Sequence, residues 1–150
     1  MCIPGVRSMD DIRTNKVATI ERCIKRIREE YSADPANLFE NITRQDSIIL
    51  NIQRACETAI DLAMHEIRLR RLGIPQESRE AFSLLFNEGL ISKDLADKMM
   101  AMVGFRNIAI HDYQELNLEV VQQIIEKHLE DFLEFTKILI KSLPPAKMGG

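Results

Sequence analysis

Chain breakers are scarce in this sequence: five prolines and six glycines among 150 residues, several of them gathered at the two ends. Long stretches therefore run without interruption, which favours an all-helical domain. Cysteine is scarce too. Cys2, Cys23 and Cys56 are odd in number and widely spaced, with no CxxC and no Cys/His cluster. That argues against a zinc site and against a disulfide framework, so neither metal nor cofactor is expected. No apolar run approaches the roughly 18 residues of a membrane span, and no signal peptide is visible. A soluble, cytoplasmic chain is expected. Nor is there an excess of positive charge: the net charge is −3. Any contact with nucleic acid has to come from a local basic patch.

Of what is present, the 45% hydrophobic content excludes a disordered chain, and 150 residues suffice for one core but not two. Residues 1–8 carry no pattern, and Met9 offers a second start, so they read as a flexible leader. A single domain is expected over 9–143, with a flexible tail over 144–150 behind Pro144 and Pro145.

Hydrophobic spacing predicts five helices. Val17, Ile20, Ile24, Ile27 and Tyr31 place one seam on a first helix from about Asp11 to Tyr31. Its outer face carries Arg22, Lys25, Arg26 and Arg28, a solvated face or a contact for RNA. After a loop over 32–41, a central helix is expected from Thr43 to Leu72, ended by Gly73 and Pro75. Arg68, Arg70 and Arg71 close it, where they suit the helix dipole or a nucleic-acid backbone. Ser78 is placed to cap a short third helix to Asn87. Ser92 caps the fourth, and Asn117 the fifth, which runs to about Leu143 with a seam of Val121, Ile125, His128, Phe132, Phe135 and Leu139. Short connections make these an antiparallel bundle.

The fourth helix carries the chemistry. Leu95, Met99, Met102, Val103 and Arg106 share one face, so a guanidinium lies in line with an apolar stripe. It needs an acidic partner, or it faces a cleft in which a ligand's negative charge is the partner. Asp46, Gln53 and Glu57 border the apolar arc of the central helix and are the best-placed partners. His111 stands five residues after Arg106, roughly 140° around the helix. The two converge only if the helix ends or bends between them, or across a symmetric interface. His65, on the polar side of the central helix, and His128, in the seam of the fifth, read as structural. Histidine takes and gives protons near neutrality, and arginine grips a phosphate through two donors. Together they meet the needs of RNA strand scission without a metal.

Phe105-Arg106-Asn107-Ile108-Ala109-Ile110-His111-Asp112-Tyr113 closely resembles the R-N-x-x-x-H-x-Y signature of HepT-type toxins, helical ribonucleases of the HEPN superfamily. Gln45 to Asn51, Gln53 to Glu57, Leu72 to Pro75 and Tyr113 to Asn117 are similar as well, so the resemblance spans about residues 9–140. It implies a HEPN-like bundle and a homodimer in which both catalytic pairs face one cleft. Arg106 and His111 match the catalytic pair, and Asn107 the supporting polar position. Tyr113 matches the tyrosine to which a minimal nucleotidyltransferase antitoxin transfers AMP, placing charge and bulk beside the pair. The expected function is a metal-independent endoribonuclease toxin acting by 2′-hydroxyl attack. The alternative is a non-catalytic helical dimer that binds a nucleotide or a nucleotidyltransferase, with Arg106 and His111 holding phosphate only. Asp46, Glu57 and Asp112 either orient the pair or simply neutralise Arg106.

Overall fold

Val17, Ile20, Ile24, Ile27 and Tyr31 form one buried edge of α1 (Met9–Ala33) in the computed structural model, which describes residues 9–141. That edge lies along α3 (Ile42–Arg70), the central helix, from which Ile48, Ile49, Ile52, Cys56, Ala59, Ala63 and Ile67 are buried. Its breadth of apolar surface lets α3 serve α1, α4 (Ser78–Asn87), α5 (Lys93–His111) and α7 (Leu129–Lys141) at once. Phe82 of α4 meets Phe135 of α7 edge-on, with ring centroids 5.4 Å apart. Every regular element among the described residues is helical, and the expected all-α bundle stands. The proposed leader, the tail and the Pro144-Pro145 stop lie outside the described residues.

Three details depart from the expected five helices. The loop over 32–41 contains a short helix, α2 (Asn37–Glu40), which buries Leu38. Asn37 Nδ2 donates to the carbonyl of Glu30 at 2.8 Å and ties it to the end of α1. The central helix ends at Arg70, before Gly73. Arg71 takes a left-handed conformation (φ 57°), and the Leu72 amide closes on the Ile67 carbonyl at 3.0 Å. A non-glycine residue there costs about 1 kcal/mol, offset by two satisfied carbonyls at the helix end. Gly73 follows, also at positive φ (129°).

The fifth helix is continuous only in outline. It comprises α6 (Leu118–Gln123), one wide π turn (Ile124–His128) and α7. The extra residue in that turn shifts the register, so Ile124, Ile125 and Leu129 take the buried positions. His128 is thereby displaced from the seam to a half-buried place, where Nδ1 lies 2.9 Å from Asp131. His65 departs the other way: it is buried, not on the polar side of its helix. Cys23 and Cys56 are buried core residues, as read. No described helix is long and apolar enough to cross a membrane.

Candidate active site

α5 begins at Ser92, whose hydroxyl accepts the Leu95 amide at 3.1 Å, with Asp94 in the first turn. Leu95, Ala96, Met99, Met102 and Val103 then bury one face against the bundle. That packing carries the helix without a break through His111. Arg106 therefore comes up against α3 at the edge of the buried stripe, half-buried. Its charge is felt at the Cys56 thiol, which burial pushes strongly upward and Arg106 partly pulls back.

The partners of Arg106 are neutral. Nε donates to Asn107 Oδ1 at 3.0 Å, and Nη2 donates to Ser78 Oγ at 3.4 Å. Among the described residues, no carboxylate forms an ion pair with it. Asp46 instead accepts the hydroxyl of Tyr113 at 2.5 Å, and Glu57 accepts from Gln53 at 3.4 Å. The border of α3 that was read as a partner for the guanidinium is thus divided between a tyrosine and a glutamine.

Ser78 is the residue that sequence reading assigned elsewhere. It was expected to cap α4, but the N-terminal position belongs to Glu77, with no side-chain cap bond. Glu80 reaches back instead to accept the Gln76 amide. The Ser78 hydroxyl is left to hold Arg106. The available signal was a serine beside a glutamate two residues on, which spares one of the two for another task. Arg79 adds a second cation. Its Nε donates to the Met100 carbonyl at 3.4 Å, and its guanidinium crosses Gly104 so closely that a Cβ there would meet Nη2 at 2.8 Å.

His111 closes α5 and is exposed, with the Asp112 amide bonded to the Ile108 carbonyl at 2.8 Å. α5 runs as one helix from Lys93 through His111, so the five residues from Arg106 to His111 turn the two roughly 140° apart and one chain does not converge them by itself. Tyr113 opens the following 3-10 turn (Tyr113–Glu115) and leans onto α3, 40% exposed. Burial, then the bond to and the charge of Asp46, push its phenol up to about 12. The π-turn side of α5 holds something different, an apolar groove of about 530 Å³ lined by Met102, Phe105, Ile108, Leu116, Val120 and Ile124 among others. None of Arg106, His111 and Tyr113 lines it. Among the described residues no cluster of three or more His, Cys, Asp or Glu suits a metal ion.

The basic groups are distributed unevenly. Arg70 is drawn to Glu66 at 3.2 Å, while Arg68 and Arg71 stay exposed. On α1, Arg28 pairs with Glu130 at 2.6 Å and Arg26 with Glu29 at 3.8 Å, as a solvated face does. Arg22, Lys25 and Arg26 nevertheless join Arg54 of α3 around a surface hollow of about 520 Å³.

Comparison with known proteins bears on this arrangement. The family profile described as Ribonuclease HepT-like matches residues 20–139. A protein of Shewanella oneidensis named mRNA nuclease HepT is 52% identical over 131 residues, covering 87% of this chain and 98% of its own. Two solved structures share the fold. One is of a toxin–antitoxin with AMP-PNP, with TM-score 0.84 and 51% identity, over 89% of this chain and 99% of that one. The other is of a tri-AMPylated HEPN toxin of the same organism in complex with an MNT antitoxin, with TM-score 0.83 and 52% identity, over 89% and 98%.

Proposed function

The chain belongs to the HepT-like ribonuclease family, and from that premise we propose that it is an endoribonuclease toxin in which Arg106 and His111 act on the RNA phosphodiester, silenced by AMP transfer from an MNT antitoxin to Tyr113. The observation that carries the assignment of the site is the state of Arg106. A half-buried guanidinium held by an amide oxygen and a hydroxyl keeps its full charge for an incoming anion.

The chemistry follows from that charge. A neutral imidazole of His111 takes the proton of a ribose 2′-hydroxyl, whose oxygen attacks the adjacent phosphorus. Negative charge builds on the non-bridging oxygens, and Arg106, fixed in direction by Asn107 and Ser78, meets it with two donors. The 5′-oxygen leaves with a proton supplied by an acid, leaving a 2′,3′-cyclic phosphate. No metal enters the step. The unbroken helix between Arg106 and His111 supports a two-fold dimer, in which the partner subunit's His111 supplies that acid.

AMP on Tyr113 would add a phosphodiester anion to the residue two positions after His111. Arg106 then has an intramolecular anion to bind, and an RNA phosphate competes for the same charge. Purified Arg106→Ala and His111→Ala proteins are expected to remain folded dimers and to lose RNA cleavage by at least a hundredfold, roughly the contribution of one acid–base or oxyanion group. The assay is cleavage of total RNA with a chelator present. RNA binding without cleavage by the unmodified protein would replace this reading with a phosphate-gripping, non-catalytic dimer.

A further inference from the structure

Asp46 and Tyr113 are 67 residues apart in sequence, yet the fold brings the carboxylate onto the phenolic oxygen at 2.5 Å. Asp46 sits in the second turn of α3, exposed, and Tyr113 is the first residue of the turn that α5 delivers. Arg44 on α3 is tied to Glu30 at 2.5 Å, His111 and Asp112 immediately precede Tyr113, and Glu115 ends its turn. Asp46 is the only charged group bonded to the phenol among the described residues.

We propose that Asp46 is the proton acceptor for modification of Tyr113, a base that the toxin itself supplies to its own AMP acceptor. The inference rests on the reading of Tyr113 as that acceptor. In the step, Tyr113 Oη attacks the α-phosphorus of a nucleoside triphosphate held by the nucleotidyltransferase. The Oη–Pα bond forms as the Pα–O bond to the β-phosphate breaks, and pyrophosphate leaves with that electron pair. The phenolic proton passes along the existing hydrogen bond to Asp46 Oδ1, and from there to solvent.

The need for such a base is visible in the site. Burial and the neighbouring carboxylate make the Tyr113 phenol harder to ionise than an ordinary tyrosine, up to about 12. A free phenolate is therefore vanishingly rare near neutral pH, and attack concerted with proton transfer avoids forming it. The carboxylate that raises the phenol is also the group positioned to relieve it.

The test is AMP transfer from the cognate antitoxin and ATP, followed on the intact chain by mass spectrometry with the modified residue mapped. Asp46→Asn is expected to slow labelling of Tyr113 by about a hundredfold, with antitoxin binding and thermal melting as in the parent. Asp46→Glu recovers part of the rate. The parent rate is flat from weakly acidic to weakly alkaline pH, whereas that of Asp46→Asn climbs about tenfold per pH unit, following the phenolate. Replacing the tyrosines with 3-fluorotyrosine, a stronger acid, speeds Asp46→Asn more than it speeds the parent. Labelling of Asp46→Asn on Tyr113 at the parent rate overturns the inference and leaves the acceptor assignment intact. A loss that tracks weaker antitoxin binding, or one that fluorotyrosine does not relieve, also overturns it. AMP mapped to another residue of the parent overturns the acceptor assignment itself.

Discussion

Arg13 and Arg106 carry the same group on two helices of one bundle, and the fold treats them in opposite ways. Arg13, on α1, is 3% exposed and meets Glu66 of α3 with Nε and Nη2 at 2.7 and 2.6 Å. Glu66 is fully buried and also receives Arg70. Arg106 is half-buried, faces the same helix, and is met by an amide oxygen and a hydroxyl. An arginine used to join helices is neutralised where it stands. On the proposed function, Arg106 is instead kept for a ligand: groups that bring no charge orient it, and it stays near enough to water to bear its own.

The contrast is sharpest in stability. Glu66→Gln removes the buried carboxylate that Arg13 and Arg70 both meet, at a cost of roughly 3 to 5 kcal/mol, or on the order of 10 °C in melting temperature for a chain of this length. Arg106→Met, which keeps the apolar stem, is expected to stay within about 1 kcal/mol of the parent in thermal melting. Equal losses from the two would erase the distinction.

A smaller effect tests how Arg106 is held. Ser78→Ala removes a long hydrogen bond to a charged group, worth about 1 kcal/mol, so RNA cleavage falls about fivefold while KM for RNA changes little. A cleavage rate equal to the parent's would mean that Asn107 alone orients the guanidinium.

The smallest effect is read by alkaline titration of phenolate absorbance. Tyr113 ionises higher in the folded chain than in the unfolded one, so its contribution to stability is complete below pH 10 and is lost as pH rises through about 12. Asp46→Asn removes two of the three causes and leaves burial, the largest. The Tyr113 titration is then expected to move part of the way back toward 10. Tyr31, raised by burial and by Glu126, stays where it is and serves as the internal reference.

Much of this molecule was legible in the order of its residues. The seams of α1, α3 and α5, and the caps at Ser92 and Asn117, are local: each depends on residues within a turn or two, and sequence spacing reports them directly. The π turn was not legible, because Val121, Ile125 and Phe132 fit an ordinary helix equally well. The wider turn goes with burial of Ile124, Ile125 and Leu129, and that is a matter of packing against α1 and the rest of the core. Ser78 was misread for a related reason. A serine at a helix start caps it by default, and Glu80 had already taken the nearby amide.

Residue order by itself determined the main helical seams, the single core, and the run from Arg106 through His111 to Tyr113 on which the family resemblance was read. Helix periodicity and capping are short-range, and a side chain's chemistry comes with its identity. Which groups touch was decided only when α3, α4 and α5 packed. That step gave Arg106 to Ser78 and Asn107, and Asp46 to Tyr113, because a contact across 28 or 67 residues depends on how whole helices cross.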